Sequence, residues 1–107
     1  MTGKEGVFRL AERVFGRYEG KVLIDEKEAS ITAKNDFGET RGVECKCSVG
    51  LLNGKYPYTV DAHESTYCIK GGACVPCGSE KEVERELVYL LRYFNFKEKR
   101  QLSLFDL

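Results

Sequence analysis

Five cysteines stand at positions 45, 47, 68, 74 and 77 of this 107-residue chain. Their spacing is C-x-C, then a lone Cys68, then C-x-x-C, so soft sulfur donors come in close pairs. Cys45-Lys-Cys47 presents two sulfurs from one side of an extended strand, and a tight turn at Cys74-Val-Pro-Cys77 would aim two more at a common point. Four thiolates close a tetrahedral zinc site with no position left for water, which makes such a site structural rather than catalytic. The expected ligands are Cys45, Cys47, Cys74 and Cys77, with Cys68 or His63 able to replace one of them. Thiolates also hold iron–sulfur clusters, so iron is the second expectation. Two plainer readings compete. Free cysteine often serves as a small buried hydrophobe, and C-x-x-C is also a redox pair, although the β-α-β context of that motif is missing here.

Composition narrows what these residues can be part of. One domain fits the length. The 42% hydrophobic and 32% charged fractions are those of a globular protein rather than a disordered one. Lys plus Arg and Asp plus Glu each number 17, so wholesale attraction to nucleic acid or an anionic membrane is not implied, while a local basic patch stays open. Apolar runs such as "LVYLL" are too short to span a bilayer. The start "MTGKEG" lacks an apolar signal segment, so the expected location is cytoplasmic, where clustered cysteines favour metal over disulfide.

The elements that must position the sulfurs follow from periodicity. Thr2 with Glu5 forms a capping box, and Val7, Leu10, Ala11, Val14, Phe15 and Tyr18 recur on one helical face. A helix over about 3–18, stopped by Gly20, is expected. "KVLIDEK" and "ASITAKN" alternate as two strands of a hairpin, and "RGVECKCSVG" follows as a third with Val43, Cys45 and Cys47 on one face. "KYPYTVDAH" reads as a further strand after the Asn53–Gly54 turn, with Pro57 suiting an edge. "STYCIKGGACVPCG" reads as a loop. Ser79 with Glu82 is a second capping box, opening a helix whose stripe is Val83, Leu87, Leu90, Leu91 and Phe94 and which ends near Asn95. The expected fold is therefore α+β, a small antiparallel sheet of three to four strands with an N-terminal and a C-terminal helix, stabilised by zinc. Residues 1–95 form the expected domain and 96–107 a flexible tail.

The hairpin, C-x-C strand, spacer and paired motif leading into a helix resemble the SWIM zinc-finger family over roughly residues 20 to 92. That family's second ligand pair is C-x-H, where this chain has Cys74-x-x-Cys77 and an extra Cys68. The resemblance implies a zinc-dependent module for nucleic acid or protein. "VECKC" also places Glu44-x-Lys46 on a strand after a helix and hairpin, an outline that resembles the PD-(D/E)xK nucleases. There an Asp and the Glu hold Mg²⁺ and the Lys assists water attack; the upstream acid here would be Asp25 or Asp36. With the C-x-C face turned to the core, Glu44 and Lys46 point the other way, as an ordinary charged strand face. His63 has no sequence-local nucleophile beside it, and the chain shows no phosphate loop, Ser/His/Asp signal or cofactor fingerprint. Tyr56, Tyr58 and Tyr67, with Lys46, Lys55 and Lys70, could stack on and neutralise a single strand, although tyrosines in a small sheet more often pack.

After the charged run "KEKR" comes "QLSLFDL", with Leu102, Leu104, Phe105 and Leu107 beyond the last expected helix. An extended peptide of this kind can set alternate apolar side chains into pockets while its backbone and a glutamine make directional hydrogen bonds. Gln101-Leu102-Ser103-Leu104-Phe105 resembles, at all five positions, the motif that binds the bacterial replication sliding clamp. The resemblance implies that Gln101 hydrogen-bonds at the entry of the clamp pocket and Leu102 fills a small subsite. Leu104 and Phe105 would fill the main cleft. The archaeal and eukaryotic clamp box shares Gln101 and Leu104 but wants a further aromatic pair, where this chain has Leu107. The competing expectation is that these apolar residues dock on the domain as a final strand. The leading functional expectation is a non-enzymatic, clamp-binding accessory of DNA replication or repair, bacterial or phage-encoded, with DNA as a further partner and no membrane. A small Mg²⁺-dependent nuclease targeted to the clamp is one alternative, and a SWIM-like zinc-finger module of archaeal origin that binds nucleic acid or protein is the other.

Overall fold

A computed structural model of the chain describes residues 4–34, 38–48, 52–65 and 70–99. Helix α1 (Lys4–Phe15) is followed by strands β1 (Lys21–Ile24), β2 (Glu28–Lys34) and β3 (Thr40–Cys47). A short helix α2 (Leu52–Lys55), strands β4 (Tyr58–Ser65) and β5 (Lys70–Cys77), and helix α3 (Glu80–Tyr93) complete the order. The class is α+β, with five antiparallel strands rather than three or four, in the spatial order of the sequence.

Side chains alternate across the pleat, and the alternation fixes two layers. Ile31, Val43 and Ala62 align on one face, as do Ala29, Cys45 and Val60, and all are buried. Onto this face α1 contributes Val7, Leu10, Val14 and Phe15, and α3 contributes Val83, Leu87, Leu90 and Leu91. The thinnest extent, 21 Å, fits one sheet and one helix layer.

The helix boundaries show which local signals hold. Ser79 accepts from the Glu82 amide at 3.2 Å, as the second capping box predicts, and the Glu82 carboxylate reaches the Gly78 amide at 3.4 Å. At the other end of α3, Asn95 takes the left-handed conformation at φ 60°. The Phe96 amide donates to Leu91 and the Asn95 amide to Arg92, a Schellman closure that buries Phe96. Helix α1 stops at Phe15 rather than near residue 18: Gly16 is a poor helix former, and Tyr18 is taken into a bridge with Glu98. Gly20 does not cap the helix but opens β1, at φ +151°, where a Cβ would come within 2.7 Å of the Thr32 carbonyl.

Three further expectations are corrected. The Asn53–Gly54 pair lies in α2 rather than in a hairpin turn. Pro57 precedes β4, which is an interior strand between β3 and β5, so no ladder bond is lost. The glycine- and cysteine-rich stretch is strand from Lys70 to Cys77, and its Pro76 is tolerated because β5 is an edge. Residues 96–99 also lie on the body. The Glu19 amide donates to Lys97 at 2.7 Å and the Lys99 amide to Arg17 at 2.8 Å.

Candidate functional site

Strand register decides where the sulfurs go. Cys45 and Cys47 take alternate positions on the helix-facing side of β3, and Cys77 lies on the same side across Tyr58 of β4. Cys74 is three residues from Cys77 on an extended strand, and period two turns it to the opposite face, level with Asp61. Two sulfurs on one zinc lie within roughly 4 Å of each other. Cys47 and Cys77 are separated by two strand spacings, roughly 9–10 Å of backbone. Among the described residues, no group of three or more His, Cys, Asp or Glu is arranged to hold an ion. The register thus sets Cys45, Cys47 and Cys77 on one face and Cys74 on the other, and Cys68 lies outside the described residues.

The two buried sulfurs belong to the core. Cys45 and Cys77 are fully buried, and burial pushes their thiols up to about 12 and about 11 from the ordinary 9.0. A neutral thiol is a compact apolar group, and these two belong to the single hydrophobic cluster of the protein, with Cys45 directly across the ladder from Val60. Cys47 and Cys74 are exposed.

The opposite face of the sheet is polar and organised in rows. Leu23, Ser30, Glu44, Asp61 and Cys74 align across all five strands. Two carboxylates directly opposite each other repel, and each is answered diagonally. His63 Nε2 meets Glu44 Oε1 at 3.1 Å, and Lys46 Nζ meets Asp61 Oδ2 at 2.8 Å. The hydrogen bond to Asp61 raises Lys46, and the same carboxylate raises the Cys74 thiol. Gly42 gives His63 its seat: a Cβ there would meet Nε2 at 2.8 Å. Glu44 and Lys46 thus face away from the core, as the C-x-C parity predicts.

Among the described residues, no upstream acid stands beside Glu44 as the nuclease outline would want. The β2 residue level with Glu44 is Ser30. Asp25 sits in the β1–β2 turn, where its Oδ1 accepts from the Lys27 and Glu28 amides at 2.7 and 2.9 Å and is lowered by them. Asp36 lies outside the described residues. Of the tyrosines singled out for stacking, Tyr58 is buried, Tyr56 lies under the Lys55 ammonium at 5.5 Å, and Tyr67 lies outside the described residues. Gln101, Leu102, Ser103, Leu104 and Phe105 also lie outside them.

Two features escape a sequence reading. Arg41 is buried at the end of β3, and its Nη1 donates to the Phe94 and Asn95 carbonyls, each at 2.7 Å, while Nε faces Glu64 at 3.5 Å. It holds the C-terminal end of α3 to the sheet across more than fifty residues of chain, and nothing local signals that contact. Tyr89 and Tyr93 are 59% and 65% exposed on α3 beside Arg85 and Arg92. That pair was readable in principle, since it falls between the positions of the buried stripe. No helix among the described residues is long and apolar enough to cross a membrane. Comparison with protein-family models, curated proteins and solved structures finds no match to this chain.

Proposed function

We propose that this protein is a sliding-clamp-binding accessory or regulator of DNA replication or repair, acting through Gln101–Phe105. The single observation that carries this reading is the five-position likeness of "QLSLF" to the bacterial clamp-binding motif. The fold adds a consistent attachment point. Lys99 is tied to Arg17 by its backbone amide, two residues before the motif begins. Gln101 supplies directional hydrogen bonds, and Leu102, Leu104 and Phe105 supply apolar area for pockets. Occupying that cleft would exclude another ligand that uses it, or carry the α+β body to clamp-loaded DNA.

The test is a direct binding measurement of the full chain against purified bacterial clamp, beside a form ending at Arg100 and a Leu104→Ala/Phe105→Ala variant. Removing two pocket-filling side chains at an interface centre should weaken binding at least tenfold, and the shortened form should not bind. Equal affinity for all three, or none for the full chain, would sink the proposal. Binding only to an archaeal clamp would move the assignment to that clamp.

A further inference from the structure

The solvent side of α3 is built unlike an ordinary exposed helix face. Its fourteen residues bury Val83, Leu87, Leu90 and Leu91. The other side should carry small or charged residues. Instead Arg85, Val88, Tyr89, Arg92 and Tyr93 recur there at steps of three and four and line a depression of about 480 Å³. The two tyrosine rings stack, with centroids 6.0 Å apart and planes 20° from parallel. Tyr93 is braced in turn by the buried Phe94, edge-on at 5.2 Å and 72°. The rings are thus pre-ordered while most of their surface stays in water.

Charge on this face is lopsided. By helical spacing Lys81, Arg85 and Arg92 lie along one flank of the tyrosines, Glu82 and Glu86 fall in line with Tyr89 and Tyr93 one to two turns earlier, and Glu84 lies beyond Val88 on the cation side. Glu82 is engaged with the start of the helix, and Glu86 meets Arg85 Nε only loosely at 3.6 Å, with Arg85 71% exposed. Flat π-faces with cations along one side match a polymer in which unpaired bases alternate with phosphates. A duplex hides its base faces, so it offers these rings little.

We infer that this face of α3 docks single-stranded DNA, with bases stacking on Tyr89 and Tyr93 and phosphates meeting Arg85 and Arg92. The geometry stands apart from the clamp motif; the choice of DNA over RNA rests on the clamp reading.

The test uses the full chain and a fluorescent oligo-dT of about 20 nucleotides, long enough to exceed one small site. Oligo-U and a duplex of equal length serve as comparisons. Tyr89→Ala/Tyr93→Ala should weaken dT binding by about tenfold or more, and Tyr89→Phe/Tyr93→Phe should keep it. Arg85→Gln/Arg92→Gln should shallow the salt dependence by roughly one counterion or more. Circular dichroism confirms that each variant keeps α3. The form ending at Arg100 should keep dT binding, and the tyrosine variants should keep clamp binding. Loss of clamp binding alone therefore leaves this inference standing. The inference is overturned by absence of saturable dT binding at 50 mM salt, by unchanged affinity in the double-alanine variant, or by preference for duplex or oligo-U. A concentration-dependent dimer that the alanine substitutions abolish would overturn it too, assigning the face to a second copy.

Discussion

Cys45 and Cys74 sit on opposite faces of one sheet, and the two faces treat the same side chain differently. On the helix side, the sulfur is fully buried in the hydrophobic cluster opposite Val60, and its proton is held well beyond the ordinary range. On the polar side, the sulfur is exposed beside Asp61 in a row of charges that answer one another. The first face makes stability by excluding water. The second makes little, because exposed ion pairs are screened and their side chains must be ordered. Residue type alone therefore does not assign a cysteine to chemistry; the parity of its position on the strand does.

The comparison can be broken most directly on the helix side. Leu87→Ala removes a fully buried side chain from α3 and should cost about 2–5 kcal/mol in denaturant unfolding. A loss under about 1 kcal/mol would mean that the helix layer is not the core. Cys45→Ser should cost about 1–3 kcal/mol by placing a hydroxyl in that cluster, and Cys74→Ser should stay within about 0.5 kcal/mol. Equal losses, together with about one zinc per chain by elemental analysis, would show the sulfurs sharing an ion and overturn the contrast.

The pH dependence sharpens it further. Cys45 and Cys77 keep their protons in the folded state to about 12 and about 11, whereas the unfolded chain releases them near 9.0. Above pH 9 the unfolded state binds fewer protons, so stability is complete below pH 9 and falls as pH rises toward 11. The fall should be on the order of 1 kcal/mol over the first unit. A Cys45→Ala/Cys77→Ala variant should show a shallower decline, and an identical slope would contradict the burial argument.

The sequence carries the helix layer well. Val83, Leu87, Leu90 and Leu91 recur at helical steps, and the Ser79–Glu82 box fixes where α3 begins. The face of Cys45, Val43 and Ile31 was likewise readable from alternation. The C-x-x-C segment was not, because its spacing suits a knuckle turn and a strand equally well. Its glycines argue for a loop, and only pairing with β4 decides for a strand. Arg41 and the Lys97–Lys99 segment were illegible for a related reason, since their partners are backbone groups far away in the chain. Local periodicity cannot register a contact whose other half is a carbonyl fifty residues on.

The strand order has a consequence for how the protein assembles. Each strand pairs with its neighbour in sequence, so every closure within the sheet spans a short loop, a topology of low contact order. The distant joins bring far parts of the chain together: α1 against α3, Arg41 on the Phe94 and Asn95 carbonyls that cap α3, and Arg17–Glu19 on Lys97–Lys99. Those joins close the longest loops of the chain, so they carry the largest closure entropy of any contact in the fold. The protein is a ribbon fastened by one long-range clasp, and the residue where the clasp closes is the one from which Gln101 is two steps away.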